Sequence, residues 1–420
     1  MMPLSPLFLP PAFLSGALTA SPASAPVCFR DMHLGLFIHY THDGRPSPPG
    51  CTDWCTTWSD GAPVATLEEL ADNLDVADLT RVAASMRAQY LQFTTWHANM
   101  NALYPSEVLA RRLPGHCARR DVIRDLLEAL RPTGVRLVLY LHPSDGHDFS
   151  REDQDRVGWN DGPPYTRWND FINEVCAEVV ARYGQDVAGY WFDGGLPQQV
   201  DKPRLRQTLL SRQPDAWLIQ NSGLDRELVD FGAHEDFAEP YPATTWQMNA
   251  CISGTWLANQ SFLRVSPEMA LKYTVLQAGV PGGAGGVAWS VGCHPGGRWE
   301  VGVCEFAQQL GQYVDRIAPA LFGTLPSAAY PTADGTPLRR ARYAATQSPD
   351  GATTYLHVLW PPQGPTLTLP PPADGRKFAS AHLLQPAEPA LTLTRGPDGL
   401  RLELPAQQRW DMLDTVIVLR

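Results

Sequence analysis

Asp193 is the residue of this chain whose position most clearly suggests chemistry. It follows an apolar run, residues 187–192, and precedes Gly194 and Gly195. Valine, tyrosine, tryptophan and phenylalanine favour strands, and a glycine pair lets the backbone turn sharply. Because α/β barrels place their active sites at the carboxyl ends of parallel strands, Asp193 is a candidate catalytic carboxylate. The simpler interpretation is that it caps the next helix or turn.

The ends of the other predicted strands carry further polar and aromatic side chains, which a barrel would bring to one face. They are His39, Trp96, His97, Tyr140, His142, Asn221, His234, Glu235, Asp236 and Glu239. A concave face with several carboxylates, histidines and tryptophans suits glycoside hydrolysis. One carboxylate attacks the sugar and another protonates the leaving oxygen, and in retaining enzymes the two lie about 5–5.5 Å apart.

These residues also have structural interpretations. His39 and His97 could bond neighbouring backbone, and Glu235 could be a solvated loop charge. A histidine-rich mouth could instead hold a metal and support a metal-dependent hydrolase. However, no two of these strand-end histidines have the helical spacing of a zinc motif, and the eight cysteines include no C-x-x-C pair. The sequence therefore predicts no metal site and no cofactor.

Alternating strand and helix patterns position these residues. The predicted strands cover residues 34–40, 90–96, 135–141, 187–192, 216–221, 229–236 and 285–292, with an obscure seventh strand between 245 and 256. About eight alternations over roughly 290 residues predict a parallel (β/α)8-like (TIM) barrel. A doubly wound sheet is the alternative, but no glycine-rich phosphate loop follows the first strand.

The composition changes near Gly323. Proline-rich turns and short alternating strands follow it over roughly 95 residues, which predicts a C-terminal antiparallel β-sandwich. We therefore expect an N-terminal extension or signal-like segment at 1–27, a catalytic barrel at 28–323 and a sandwich domain at 324–420.

Composition also limits the partners and the compartment. The formal net charge of −11 argues against nucleic acid, and no stretch is long and apolar enough to span a membrane. Residues 4–18 followed by Ala23-Ser24-Ala25 resemble a signal peptide, but no Lys or Arg precedes the run and prolines interrupt it. A cytoplasmic location is slightly favoured over a secreted or periplasmic one. The expected partner is a carbohydrate, and the oligomeric state is left open.

Taken in order, the motifs resemble the α-L-fucosidases of glycoside hydrolase family 29, from about residue 28 to the C-terminus. Residues 35–40 are similar to that family's G-(I/L)-F-I-H-W, and residues 183–194 to its Y-G…W-F-D-G. Three further segments are similar to the family's T-T-K-H-H and L-W-P-S motifs, to its spaced tryptophan pair and to its closing loop: residues 93–106, Trp246 with Trp256, and residues 285–297.

The resemblance implies a retaining mechanism. Asp193 would be the nucleophile and would form a glycosyl–enzyme ester. Glu239 is the first candidate for the acid/base residue, since residues 236–239 lie near the family's D-(Y/F)-x-T-P-E. Glu235 is the reserve candidate.

The resemblance also implies a sugar pocket. His39 and His97 would hydrogen-bond hydroxyls, and an aromatic wall would suit the methyl group of a deoxysugar. Asp53 and Trp54 would replace the family's E-W. The full predicted substrate-binding set is His39, His97, Trp96, Tyr140, Trp191, Asp53, Trp54 and Trp256.

Several positions depart from the family pattern. Trp96 replaces a lysine, Ala98 replaces the second histidine, Ser222-Gly223 stand where an arginine often occurs, and Gln247 replaces the W-E glutamate. Two hypotheses follow. One is a retaining exo-glycosidase that removes terminal α-L-fucosyl or related residues, and the other is a non-catalytic carbohydrate-binding relative on the same scaffold.

Overall fold

A closed barrel of eight parallel strands forms the first part of the chain. The computed structural model describes residues 28–42, 55–97, 99–193, 198–235, 246–258, 262–332, 341–384 and 389–420. Each strand pairs with the next, and β8 pairs with β1. The strands are β1 (Leu34–Ile38), β2 (Tyr90–Thr94), β3 (Arg136–Leu141), β4 (Gly189–Phe192), β5 (Trp217–Asn221), β6 (Phe231–Glu235), β7 (Trp246–Cys251) and β8 (Val287–Ser290).

The helices lie outside this barrel and cover it with apolar side chains. Side-chain caps begin several of them. At the start of α1, for example, Thr66 Oγ1 accepts the Glu69 N–H, as the S/T-x-x-E pattern predicts. The helices are α1 (Leu67–Asp72), α2 (Val76–Ser85), α3 (Glu107–Arg112), α4 (Val122–Leu130), α5 (Arg151–Val157), α6 (Thr166–Tyr183), α7 (Lys202–Leu209), α8 (Pro267–Ala278) and α9 (Val303–Leu321). No helix among the described ranges is long and apolar enough to cross a membrane.

Two glycines allow close contacts between neighbouring strands of the barrel, Gly35 with the Tyr90 ring and Gly189 with the Trp217 backbone. A Cβ on Gly35 would lie 2.2 Å from the Tyr90 ring, and one on Gly189 would lie 2.3 Å from the Trp217 carbonyl oxygen. The interior can therefore hold a cluster of aromatic and aliphatic side chains beneath the carboxyl ends of the strands. That cluster includes Phe37, Tyr90, Val138, Tyr140, Trp191, Trp217 and Ile219.

Two antiparallel sheets follow the barrel. After a short hairpin, β9 (Cys293–His294) with β10 (Arg298–Trp299), the five-stranded sheet has the order β11-β12-β13-β18-β15 and the three-stranded sheet the order β14-β17-β16. Their bounds are β11 (Leu325–Pro326), β12 (Tyr343–Gln347), β13 (Thr354–Val358), β14 (Thr366–Leu369), β15 (Ala381–Leu383), β16 (Thr392–Gly396), β17 (Gly399–Glu403) and β18 (Thr415–Leu419). Leu356, Leu369, Leu402 and Ile417 belong to one apolar core shared by both sheets. The predicted fold class, a barrel followed by antiparallel β structure, is confirmed.

The domain boundaries stay a prediction. Helix α9 ends at Leu321 and β11 begins at Leu325, on either side of the predicted boundary at 323. Residues 1–27 lie outside the described part of the chain.

Candidate active site

Asp193 lies directly after β4, where donors from neighbouring strands reach it. Tyr140, on β3, donates its hydroxyl to Asp193 Oδ2 at 2.5 Å, and Asn221, at the end of β5, donates Nδ2–H to Oδ1 at 2.8 Å. His97 Nε2 lies 3.9 Å from Oδ2, and the Asp193 side chain is 21% exposed. A carboxylate with one donor on each oxygen and partial access to solvent is held in one orientation yet can meet a ligand.

The surroundings of Asp193 favour its ionised form. Burial raises the pKa of Asp193, but the charge of His142, the hydrogen bonds from Tyr140 and Asn221, and the charge of His97 together lower it below the usual value. Burial also lowers the pKa of His97 itself to about 4. Near neutral pH the His97 ring is uncharged, but the hydrogen bonds from Tyr140 and Asn221 still favour the ionised form of Asp193 there.

Aromatic rings form a wall beside this carboxylate. Tyr140 stacks on Trp191, with ring centroids 5.2 Å apart, and on His97, with centroids 5.6 Å apart. His39 lies 5.6 Å from the Tyr140 ring and 5.3 Å from the half-buried Trp256. The structure thus brings five of the predicted substrate-binding residues into one cluster around Asp193.

Trp96 lies outside this cluster. Trp96 is 1% exposed, belongs to the large core between strands and helices, and donates its indole N–H to the His142 carbonyl at 3.3 Å. Its position does not support a substrate contact. Asp53, Trp54 and Glu239 lie outside the described residues.

Glu235, the last residue of β6, is exposed and lies close to Asp193. The same Asn221 nitrogen that donates to Asp193 Oδ1 also donates to Glu235 Oε1. Two hydrogen bonds donated by one nitrogen keep the two acceptor oxygens within roughly 6 Å of each other. A shared donor of this kind is compatible with the carboxylate spacing of about 5–5.5 Å found in retaining glycosidases.

The double contact of Asn221 was missed by sequence analysis, which placed this residue at the end of a strand but assigned it no role. A strand-end position was the only available signal. The strand order supplies the rest, because β5 lies between β4 and β6 in the barrel.

Gln247 lies inside the barrel beneath the aromatic wall. It is fully buried, its Oε1 accepts the Trp191 indole N–H at 3.1 Å, and its Nε2 donates to the Tyr90 hydroxyl at 2.6 Å. Gln247, which departs from the family's W-E pattern, therefore supports Trp191 from inside the barrel and is not exposed to a ligand.

The described side chains do not form a metal-binding cluster. Among the residues with described positions, no group of three or more His, Cys, Asp or Glu side chains could hold a metal ion. The expectation of a metal-free site stays a prediction.

The family of this chain follows from comparison with known proteins. The family model described as Alpha-L-fucosidase matches residues 17–318, which is well over half of the chain. The chain belongs to the α-L-fucosidase family of glycoside hydrolases. The resemblance drawn from its ordered motifs is confirmed.

Solved structures share the fold at low sequence identity. An α-L-fucosidase GH29 from Bacteroides thetaiotaomicron is 18% identical with a TM-score of 0.69, and the match covers 93% of each chain. The α-fucosidase of Thermotoga maritima is 17% identical with a TM-score of 0.66, over 94% of this chain and 97% of that one. These similarities establish the common architecture.

A curated relative matches over a shorter length. It is a protein of Oryza sativa subsp. japonica named "Putative alpha-L-fucosidase 1", 24% identical over 228 residues. The match covers 54% of this chain and 37% of the rice protein, so the chain spans about a third of that relative.

Proposed function

We propose that this protein is a retaining exo-glycosidase that removes terminal α-L-fucosyl or closely related residues by double displacement. The observation that carries the proposal is the pairing of Asp193 and Glu235 through Asn221. Family membership supports the sugar class. Two related structures add support: the Bacteroides enzyme was trapped as a covalent intermediate with 2-fluoro-fucosyl fluoride, and the Thermotoga enzyme was solved with fucose.

In the first step, an Asp193 oxygen attacks the anomeric carbon and the bond from that carbon to the leaving oxygen breaks. Glu235 transfers its proton to the leaving oxygen, so that the aglycone departs as a neutral alcohol. The lowered pKa of Asp193 keeps the nucleophile ionised. The nearby negative charge of Asp193 disfavours a second charge on Glu235, which suits an acid that must start protonated.

In the second step, water attacks the anomeric carbon of the glycosyl ester. Glu235, now ionised, accepts the proton of this water, and Asp193 is released as a carboxylate. Retention of anomeric configuration follows from the two displacements.

The surrounding residues would bind the sugar. His39 and His97 are buried to 4% and 7% exposure and are neutral near pH 7, so that each ring can donate and accept a hydrogen bond to a hydroxyl. The wall of Tyr140, Trp191 and Trp256 would take the apolar side of a deoxysugar. Asp53 and Trp54 stay predicted contacts.

The test of the nucleophile is turnover of aryl α-L-fucosides and aryl α-L-galactosides. We expect the wild type to hydrolyse at least one of them with retention, and Asp193→Ala to lose about 10⁴-fold or more in kcat. Proton NMR of the first-formed anomer measures retention. An Asp193→Ala protein as active as the wild type would overturn the mechanism.

The two acid/base candidates are separated by comparing Glu235→Gln with Glu239→Gln. We expect Glu235→Gln to lose about 10²–10⁴-fold in kcat/KM on a substrate with a poor leaving group, and azide should not restore this rate because it gives no proton to the leaving oxygen. On an activated aryl substrate, where breakdown of the glycosyl ester limits turnover, azide should restore the rate because it attacks the ester without a base. Glu239→Gln is the matched control. If only Glu239→Gln shows the loss and the rescue, the acid/base role belongs to Glu239.

A non-catalytic carbohydrate-binding protein is the second candidate function. The burial of Trp96, which stands where the family has a lysine, favours it. Calorimetric binding of L-fucose or fucosylated glycans without hydrolysis of any aryl glycoside would establish this function. Under the leading proposal we expect turnover, unaffected by a metal chelator.

A further inference from the structure

Asn221 contacts both carboxylates of the candidate site through one amide nitrogen. The residue is 3% exposed, and its Nδ2 carries two hydrogens. One hydrogen is directed to Asp193 Oδ1 at 2.8 Å and the other to Glu235 Oε1. We propose that Asn221 is a positioning residue that aligns nucleophile and acid/base through both steps of the reaction. This inference rests on the proposed function.

The barrel places Asn221 for this role. Strand β5 lies between β4 and β6, and its last residue pairs with Ala233 on β6. Asn221 therefore lies between the two strand ends that carry Asp193 and Glu235. On its other side, the Ser222 hydroxyl donates to Asn221 Oδ1 at 3.4 Å. Because an ionised carboxylate only accepts hydrogen bonds, the amide presents Nδ2 to the pair and Oδ1 to Ser222.

One amide can serve both steps because the pair carries a single negative charge throughout. Before the first step, the charge is on Asp193 and the proton is on Glu235. Afterwards Asp193 is a neutral ester and Glu235 is ionised. Asn221 thus always donates one N–H to the charged member, and such charge-assisted bonds are about twice as strong as neutral ones. No donor has to move when the charge changes place.

Asn221 also determines which oxygen of Glu235 carries the proton. An oxygen that accepts an N–H is favoured as the carbonyl oxygen of the acid, so Oε1 takes that role and Oε2 carries the proton. Loss of the donor would let the carboxyl group turn and would misdirect its proton. The penalty should therefore grow as the leaving group becomes a poorer one.

The acid limb of the pH profile gives a second signature. Asp193 is faced by His39 (after β1), His97 (after β2), Tyr140 and His142 (on and after β3) and Glu235 (on β6). None of these groups is itself removed when only Asn221 is changed. The hydrogen bond from Asn221 lowers the pKa of Asp193. Its removal should therefore raise that pKa and move the acid limb of the pH profile to higher pH.

The experiment compares Asn221→Ser and Asn221→Leu with Gln220→Leu in the full chain. Gln220 is the neighbouring β5 amide; it is 5% exposed, and its Oε1 accepts the Asp225 N–H at 2.7 Å, away from both carboxylates. For Asn221→Ser we expect kcat to fall about 10²-fold or more on an unactivated aryl α-L-fucoside and about tenfold on an activated one. KM should change less than about threefold, and the acid limb should rise by about one pH unit.

A readout without turnover keeps this inference separate from the proposed function. In protein labelled with carboxyl-¹³C aspartate, the Asp193 signal is identified by its absence in Asp193→Asn. We expect it to titrate at higher pH in both Asn221 variants and unchanged in Gln220→Leu. An unchanged Asp193 titration overturns the role of Asn221, whether or not the wild type is active. If the titration shifts while the wild type cleaves no glycoside, the proposed function fails and the coupling of Asn221 to Asp193 stands.

Discussion

Burial holds two of the imidazole rings beside Asp193, those of His39 and His97, in the neutral form near pH 7. Burial lowers the pKa of His39 to about 3, with the charge of His97 acting in the same direction and that of Asp193 in the opposite one. Burial likewise lowers the pKa of His97 to about 4. Above about pH 5 both rings are therefore uncharged. They can hydrogen-bond a sugar hydroxyl without forming an ion pair with Asp193.

The pH profile of turnover should reflect these low values. We expect neither His39 nor His97 to give kcat/KM an inflection near pH 6.5, the usual pKa of histidine, because neither ring changes charge there. Steady-state kinetics between pH 3 and 9 on an aryl α-L-fucoside measure this. An acid limb near pH 6.5 that disappears in His97→Asn would contradict the expectation.

Outside the site, buried His33 should make the free energy of unfolding depend on pH. Its pKa is lowered to about 4 by burial, and its Nε2 lies 3.2 Å from the Thr324 carbonyl. Below pH 6.5 the unfolded chain takes up a proton at His33 that the folded chain does not. The free energy of unfolding therefore decreases as the pH is lowered, by up to about 1.4 kcal/mol per pH unit. We expect the difference in the free energy of unfolding between wild type and His33→Gln to become smaller as the pH is lowered from 6.5 to 4. Urea denaturation measures this difference. The exposed His147→Gln is the matched control, and parallel curves for His33→Gln and wild type would refute the effect.

At the scale of elements, the site depends on how closely β4 approaches β5. Gly189 begins β4 and lies against the backbone of Trp217 on β5, and Asp193 directly follows the strand. The spacing of these two strands determines the distance between Asp193 and the Asn221 amide. A substitution at Gly189, at the buried start of β4, should therefore alter the distance between Asp193 and the Asn221 amide.

Gly189→Ala tests this dependence. A Cβ only 2.3 Å from the Trp217 carbonyl forces the strands apart, and overpacking of this kind costs about 1–3 kcal/mol. We expect a matching loss in the free energy of unfolding, together with lower kcat, in denaturation and kinetic assays. Gly364→Ala, where a Cβ meets nothing within 4 Å, should change stability by less than about 0.5 kcal/mol. Equal stability of both variants would argue against tight β4–β5 packing.

At the scale of the whole molecule, buried polar contacts join the barrel to the antiparallel sheets. On β13, His357 Nδ1 lies 2.6 Å from Asp414 Oδ2, and its Nε2 lies 3.3 Å from the Ala320 carbonyl of α9. On α8, Lys272 donates to the carbonyls of Leu359 and Met412. These contacts hold the outer helices of the barrel against the five-stranded sheet.

His357→Leu should weaken this junction strongly. The substitution leaves the Asp414 carboxylate, 1% exposed, without its histidine partner, and breaking a buried pair costs about 3–5 kcal/mol. Thermal denaturation measures the loss. Arg316→Ala, which removes the exposed pair of Arg316 with Asp411 at the same junction, should cost about 0–1 kcal/mol. A loss in His357→Leu no larger than that of Arg316→Ala would mean that the buried pair does not stabilise the junction.

The periodicity of the sequence was sufficient to predict the barrel and the strands of the antiparallel sheets. Apolar alternation and amphipathic spacing are local properties, and the antiparallel β structure predicted after residue 323 is confirmed. The seventh barrel strand was obscure because Gln247 and Asn249, both fully buried, interrupt its apolar pattern. In the barrel, Gln247 bonds Tyr90 and Trp191, which lie far from it along the chain.

The sequence by itself singled out Asp193, because a carboxylate at the tip of an apolar run is visible along the chain. Tertiary structure alone decided which residues meet it. Asn221 is 28 positions from Asp193 and 14 from Glu235, and no local pattern records that one amide bonds both. The same holds for Trp96, whose burial follows from packing between strands and helices. Strand order and register determine these contacts because they bring distant strand ends to one face of the barrel.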